Sequence, residues 1–176
     1  MTDTRPRLLG EWACLGLLAV APSHGFAVAA RLAPSGDIGR VWSMSRPLTY
    51  RAIDQLVERG LVEQVGTEPG RAGGPRSVMA PTAVGREVLD DWLTSPVEHL
   101  RDLRTELLVK LVLLESLGRP SGALLRAQRS VVAGAAEALE ARAATAPSPD
   151  AVAVWRAESA AAALRFLDRL LAARRS

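Results

Sequence analysis

The sequence predicts a mainly α-helical fold with one small β-hairpin, and three observations support this prediction. An amphipathic helical segment at 45–60 runs directly into two short β-type segments, 61–65 and 76–80. The loop between these two segments is rich in Gly, Pro and Arg, as expected for the tip of a hairpin. From Ser95-Pro96 onward the composition becomes rich in Ala and Leu, which favours long helices.

The bulk composition is that of a folded protein without a strong overall charge. Of the 176 residues, 48% are hydrophobic and 23% are charged, and the formal net charge is +3. Residues 1–95 carry ten arginines and ten acidic residues, whereas 96–176 carry twelve basic and nine acidic residues. Any attraction of the N-terminal half to a polyanion must therefore come from local clusters of arginine.

Two features indicate a cytoplasmic protein. Cys14 is the only cysteine, so no disulfide can form within the chain. The apolar run 12–21 superficially resembles a signal peptide, but the turn residues after it end the run well short of the ~20 residues that span a bilayer.

A single lysine, no asparagine and abundant Ala and Arg indicate GC-rich coding and a bacterial source.

The N-terminal elements follow from the spacing of apolar residues and from turn residues. A first helix is predicted over about 7–21, and a Pro-Ser-His-Gly turn leads to a second helix over about 26–32. Ser23 or His24 lies near the cap of this second helix. The segment 41–43, Val-Trp-Ser, is predicted to form a short strand.

The helix at 45–60 has clear start and stop signals. Ser45 is a typical N-cap residue, and Pro47 fits the first turn because its missing N–H costs nothing there. Gly60 has the C′ position at which helices end. One side of the helix carries Tyr50, Ile53, Leu56 and Val57, and the other carries Leu48, Arg51, Gln55, Glu58 and Arg59.

The remaining elements complete two predicted domains. Segments 61–65 and 76–80 are predicted to pair as strands, and Thr82 is predicted to cap a helix that ends near Leu93. Three further helices are predicted at about 98–117, 121–144 and 149–174. We therefore expect an N-terminal winged helix-turn-helix domain over 1–94 and an α-helical dimerisation domain over 95–176.

A capped helix followed at once by a hairpin is the layout of a winged helix-turn-helix, which places the helix in the DNA major groove and the hairpin on the neighbouring backbone. Arginine and glutamine contact phosphates or base edges, and polar groups near a helix start contact phosphates. The predicted DNA-contacting residues are Ser45, Arg46, Thr49, Tyr50, Arg51, Gln55, Arg71 and Arg76. The same residue types also fit a solvated helix face and a plain mobile hairpin.

The sequence does not favour an enzyme. His24, His99 and Cys14 do not have the spacing of zinc ligands. The chain has no Gly-x-Ser-x-Gly elbow and no His-Glu-x-x-His motif, and its glycine-rich loop lacks the Gly-Lys-Ser/Thr of a nucleotide-binding loop. We therefore expect no catalytic residues, no metal and no cofactor.

The C-terminal helices carry more apolar surface than a small neighbouring domain covers, which favours a homodimer over a purely intrachain core. The predicted interface residues are Leu107, Leu111, Trp155, Ala162, Phe166 and Leu170. Trp12, Trp92 and Trp155 fit either a pocket for a small effector or packing in a core or interface.

The ordered set of motifs over about 8–93 resembles the PadR family of bacterial transcriptional regulators. The matching segments are Leu15-Gly16-Leu17-Leu18, Pro22 to Phe26, Ser45 to Tyr50, Leu56 to Val62, Gly73 to Arg76 and Thr82 to Gly85. Two segments depart from the family pattern: Pro47-Leu48-Thr49 replaces Gly-Thr-Leu, and Ser77-Val78-Met79 replaces Lys-Tyr-Tyr. Ser45, Tyr50 and Arg76 carry over from the family; Leu48, Ser77 and Val78 do not.

The resemblance implies a sequence-specific regulator that binds double-stranded DNA as a homodimer and represses transcription until a small effector releases it. The alternative keeps the fold without DNA binding, as a winged-helix module that binds a protein or a small molecule.

Overall fold

The computed structural model describes residues 5–6, 8–70, 74–144 and 150–173. The described residues form two compact units. The first unit consists of those within Met1–Leu93 and Leu108–Arg119, and the second of those within Thr94–Leu107 and Pro120–Ser176. Residues 108–119 thus belong to the first compact unit, although they lie within the predicted C-terminal domain.

The described part of the chain contains seven α-helices, one 3₁₀ helix and one antiparallel hairpin. The elements in order are α1 (Leu9–Val20), α2 (Gly25–Leu32), α3 (Arg46–Glu58), β1 (Val62–Glu68), β2 (Arg76–Pro81), α4 (Ala83–Thr94), a 3₁₀ helix (Leu100–Arg104), α5 (Glu106–Ser116), α6 (Gly122–Ala144) and α7 (Ala151–Ala173). This order confirms the predicted mainly α-helical fold with a winged helix-turn-helix.

Helix α1 is the centre of the first unit because it is buried almost all round. Ala13, Cys14, Leu15 and Leu18 have no exposed surface. The helix packs on α3, α2 and β2, and Gly16 lies directly against the side chain of Leu113 in α5. Burial, reinforced by the charge of Glu11, raises the pKa of the Cys14 thiol to about 12, so the thiol stays protonated at neutral pH.

The predicted strand at 41–43 is wrong, because this segment belongs to a run of tight turns. The amides of Val41 and Trp42 both donate to the carbonyl of Ile38, at 2.9 and 3.0 Å, and Ile38 itself is fully buried. The hairpin is extended instead by Ser23, which exchanges two backbone hydrogen bonds with Met79, at 3.0 and 2.9 Å. The turn between α1 and α2 is thereby fastened to the wing.

Helix α3 begins and ends close to the predicted residues. Ser45 is the N-cap, Pro47 lies in the first turn, and Gly60 has the left-handed φ of +68° that ends the helix. The predicted division of its faces is shifted, however. The buried residues of α3 are Thr49, Ala52, Ile53 and Leu56, whereas Tyr50 and Val57 are exposed.

The two strands of the wing pair from Val62↔Pro81 to Glu68↔Arg76, with a bulge between Gln64 and Gly66. Strand β1 is longer than predicted and ends at Glu68. The predicted wing residue Arg71 lies outside the described residues.

Thr82 and Gly85 connect the wing to α4. The Thr82 hydroxyl donates to the carbonyl of Gly60 at 2.7 Å and accepts from the amide of Gly85 at 3.0 Å. A Cβ atom on Gly85 would lie 2.0 Å from the carbonyl oxygen of Leu61, which is a backbone atom that cannot rotate away. Glycine is therefore required where α4 passes the residue that precedes β1.

We expect Gly85→Ala to lower the free energy of unfolding by about 1–3 kcal/mol, because the new methyl group overlaps the backbone. The matched control is Gly134→Ala in α6, where the added Cβ meets nothing within 4 Å. An alanine there should raise helix stability by up to about 1 kcal/mol. Chemical denaturation of both variants checks this expectation, and equal effects would contradict the crossing described here.

Candidate nucleic-acid interface

Two arginine side chains converge on Phe26 in the first unit. Arg46 is the first residue of α3, Arg76 is the first residue of β2, and Phe26 is the second residue of α2. The guanidinium carbons lie 4.7 Å (Arg46) and 5.2 Å (Arg76) from the centre of the Phe26 ring. These distances are those of cation–π contacts, which hold both cations near one aromatic side chain.

His24 lies beside this cluster and also caps α2. Its Nδ1 accepts from the amide of Ala27 at 3.1 Å. The Nε2 atom lies 3.4 Å from a guanidinium nitrogen of Arg76 and 3.8 Å from a carboxylate oxygen of Glu68. His24 thus lies between the start of α2 and residues of both strands of the wing.

A pocket of about 630 Å³ opens between α2, α3 and the wing. Tyr50 covers Gly25 at one wall, where a Cβ atom would approach the tyrosine ring to 2.6 Å. Phe26 and Arg76 also line the pocket, and so do two carboxylates, Asp54 and Glu58. The pocket therefore offers an aromatic wall, a cation and two acids.

A second groove, of about 440 Å³, lies on another side of α3. Its α3 residues are Leu48, Arg51, Ala52 and Gln55, and its other lining comes from Leu8, Leu9, Gly10, Glu11, Trp42 and Met44. Arg51 is exposed and Gln55 is half-buried. The structure thus divides the predicted DNA-contacting residues between two surfaces, with Arg46 and Arg76 on Phe26, and Arg51 and Gln55 along this groove.

Ser45 and Thr49 differ in their accessibility. Ser45 is exposed, and its side chain makes no capping hydrogen bond. Thr49 is completely buried, and its hydroxyl donates to the carbonyl of Ser45 at 3.1 Å. We therefore leave Thr49 out of the proposed interface.

Sequence reasoning missed the ion pair between Glu11 and Arg59. Arg59 donates to the two carboxylate oxygens of Glu11 at 2.6 and 3.3 Å, and Glu11 is almost fully buried. The pair joins the first turn of α1 to the end of α3. Arg59, which the sequence places on the outward face of α3, is thus engaged inside the protein. Glu11 alone gave no signal of this, because its partner is 48 residues away.

The only lysine is also engaged inside the first unit. Lys110 is buried, and its ammonium group lies 4.8 Å from the centre of the Trp92 ring. Trp92 in turn stacks on Trp12, with ring centres 4.8 Å apart and planes within 5°. Trp12 and Trp92 therefore pack against each other.

The second unit consists mainly of the α6–α7 pair. Gln128 of α6 is buried and makes two hydrogen bonds to the backbone of Val97, at 2.8 and 3.0 Å. Arg129 and Asp168 form an exposed ion pair across the two helices. Gln128 thus fastens α6 to the segment before the 3₁₀ helix, and the Arg129–Asp168 pair joins α6 to α7.

The predicted interface residues have different environments. Trp155 is 71% exposed, and Ala162 and Phe166 are exposed as well. They recur at intervals of seven and four, so they form a stripe along α7, which Leu170 continues with a half-buried side chain. Leu111 is half-buried and Leu107 has no exposed surface. Trp155 also lines a groove of about 760 Å³ with the 3₁₀ helix, Leu139 and several charged side chains.

The described residues form neither a metal site nor a membrane-spanning helix. No group of three His, Cys, Asp or Glu side chains among them is placed to hold a metal ion. No helix in the part of the chain that the structure describes combines the length and apolarity needed to cross a membrane.

The fold and its two α3 surfaces define a winged helix-turn-helix protein. No protein-family model matches the sequence, and no curated protein matches it. Among solved structures, the chain is similar to Bacillus subtilis PadR, as seen in its crystal structure in complex with operator DNA. The two are 20% identical, the match covers 92% of this chain and 97% of that chain, and the TM-score is 0.47. What the present chain binds has to be inferred from its own residues.

We expect Glu11→Gln to lower the free energy of unfolding by about 3 kcal/mol, because it leaves the largely buried Arg59 guanidinium without its counter-charge. The control is Asp91→Asn, which breaks the exposed pair of Asp91 with Arg5 and should cost about 1 kcal/mol or less. Equal losses in chemical denaturation would show that the Glu11–Arg59 pair has no special role.

Proposed function

We propose that this chain is a sequence-specific transcriptional regulator that binds double-stranded DNA as a homodimer and acts as a repressor relieved by a small effector. The observation that carries the proposal is the pair of guanidinium groups, from Arg46 and Arg76, on the ring of Phe26.

The position of these cations suits a phosphate backbone. Arg46 occupies the first turn of α3, where free amides and the helix dipole also favour an anion. Arg76 begins the strand that follows the wing loop. Contact with Phe26 restrains both long side chains before binding, so less conformational entropy is lost when a phosphate is bound.

The side of α3 that lines the groove of about 440 Å³ supplies groups that read bases. Arg51 and Gln55 are four residues apart, so they lie one above the other on the helix. Arginine pairs with the major-groove edge of guanine and glutamine with that of adenine. Phosphate contacts from Arg46 and Arg76 would position the helix, and Arg51 and Gln55 would then select the sequence.

The homodimer rests on the stripe of Trp155, Ala162 and Phe166 on α7. An exposed tryptophan and phenylalanine on one helix face are unfavourable in water and typical of an interface. A twofold dimer would present two copies of α3 to half-sites separated by about one helical turn of DNA, roughly 34–36 Å.

The groove beside Trp155, lined by both apolar and charged side chains, is our candidate for the effector site. Its volume of about 760 Å³ is in the range of small-molecule sites. Because Trp155 belongs both to this groove and to the proposed dimer stripe, a ligand bound there would favour one dimer geometry over another.

One observation favours the alternative function, a winged-helix module that binds a protein or small molecule without DNA. Asp54 and Glu58 line the same pocket as Arg76, so this surface is of mixed charge and would repel phosphates at some positions.

DNA binding is tested by the salt dependence of duplex affinity. Arg46→Ala and Arg76→Ala should each weaken binding to all duplexes and reduce the slope of log K against log salt by about 0.9. Arg51→Ala should instead relax base preference and reduce discrimination by about 1–3 kcal/mol. Arg126→Ala, which removes the same charge from an exposed position of α6, is the control. Equal effects of all four substitutions would refute the assigned roles, and salt-independent binding would favour the alternative function.

The dimer is tested by sedimentation equilibrium. Trp155→Glu with Phe166→Glu should convert the protein into a folded monomer, because both charges fall inside the proposed interface. The control is Val131→Glu, which places the same charge at an exposed position of α6. This variant should remain dimeric. A monomeric wild-type protein would contradict the proposal, as would equal dissociation of the Val131 variant.

A further inference from the structure

Leu48 is an apolar side chain in an exposed position on the proposed DNA-reading helix. It is the third residue of α3, and 52% of its surface is accessible. Arg51 and Gln55 follow it at intervals of three and four, so the three side chains follow one another along the same side of the helix. Residues in the first turns of a recognition helix are those that contact base edges.

The surroundings of Leu48 are apolar as well. Leu8, Trp42 and Met44 line the groove of about 440 Å³ that Leu48 shares with Arg51 and Gln55. Trp42 and Met44 pack closely on Gly10, where a Cβ atom would lie 2.7 Å from the Met44 sulfur and 3.2 Å from the Trp42 ring. This packing holds both side chains in place, so the apolar lining next to Leu48 is fixed by the fold.

Base edges offer one apolar group in the major groove, the 5-methyl group of thymine. Aliphatic side chains recognise it by contact and exclusion of water. A leucine beside an arginine and a glutamine therefore adds recognition of thymine to that of guanine and adenine.

We propose that Leu48 determines specificity by contacting the 5-methyl group of a thymine in each half-site. This inference rests on the proposed DNA-binding function and deepens it, because it assigns to one residue of α3 a chemical group on the DNA. If the apolar groove bound a protein partner instead, the test below would show no effect of the thymine methyl group that depends on Leu48.

The test compares thymine with deoxyuridine in a duplex selected from a random pool by the wild-type protein. Uracil keeps every hydrogen-bonding group of thymine and lacks only the methyl group. Each thymine is replaced in turn, and affinity is measured for the wild type, Leu48→Ala and Val57→Ala. Val57 is the matched control, since it is an exposed aliphatic residue of α3 that lines the other pocket.

For the wild type and Val57→Ala, we expect one thymine in each half-site to be sensitive. A single uracil at such a position should weaken binding about fourfold, which corresponds to the loss of one buried methyl group. Leu48→Ala should bind the thymine and uracil duplexes equally at that position. Because Leu48 is half-exposed, its truncation should leave the protein folded, which circular dichroism checks.

Two other results would overturn the assignment. If uracil weakens binding at no position of the wild-type complex, the thymine methyl group is not recognised. If uracil weakens Leu48→Ala as much as the wild type, another residue contacts the methyl group. In both cases the proposed function survives, because the duplex is still bound. Absence of any salt-sensitive duplex binding would instead refute the proposed function and this inference with it.

Discussion

The arrangement of the first unit depends on the burial of α1. A helix with Ala13, Cys14, Leu15 and Leu18 fully enclosed must be covered on several sides. Helices α2 and α3 and strand β2 cover it, and α5 reaches it where Gly16 gives room to Leu113. The elements that carry the candidate interface are therefore positioned by one shared apolar centre. Polar contacts then hold these elements in place relative to each other.

Two such polar contacts fix α3 and the wing relative to this centre. The Glu11–Arg59 pair holds the end of α3 to the start of α1, and the two backbone hydrogen bonds between Ser23 and Met79 hold the hairpin to the turn before α2. With both ends restrained, Arg46, Phe26 and Arg76 come together from three different elements. Each cation–π contact contributes only about 0.5–1 kcal/mol, so its effect is to orient the cations more than to stabilise the fold.

Local signals in the sequence were sufficient for much of the fold. Helix ends are marked by local signals that act within one turn: Ser45 and Pro47 at the start of α3, Gly60 after its end, and Thr82, whose hydroxyl accepts from Gly85 at the start of α4. The predicted strand at 41–43 is wrong because its strand-forming residues are held in turns by hydrogen bonds to the buried Ile38. Local propensity does not include such contacts.

The candidate site was less accessible to sequence reasoning, because it depends on tertiary contacts. Arg46 and Arg76 were predicted from their residue type and position in the motif, but Phe26 was not, since it lies in another helix and only the fold brings it to them. The sequence groups Tyr50 and Val57 on one side of α3 with Ile53 and Leu56, of which only the last two are buried, because several face angles fit a helix of thirteen residues. The side of α3 that is buried is the side that packs on α1 and its neighbours.

The most direct test of the account is selection and sequencing of duplexes bound from a random pool by the purified protein, repeated at two salt concentrations. We expect an enriched palindrome whose half-sites are about one helical turn apart, and whose affinity falls as salt rises, as a dimer with two arginine-bearing helices requires. No enrichment by a folded dimer would contradict the account, and so would an enriched sequence whose binding does not depend on salt.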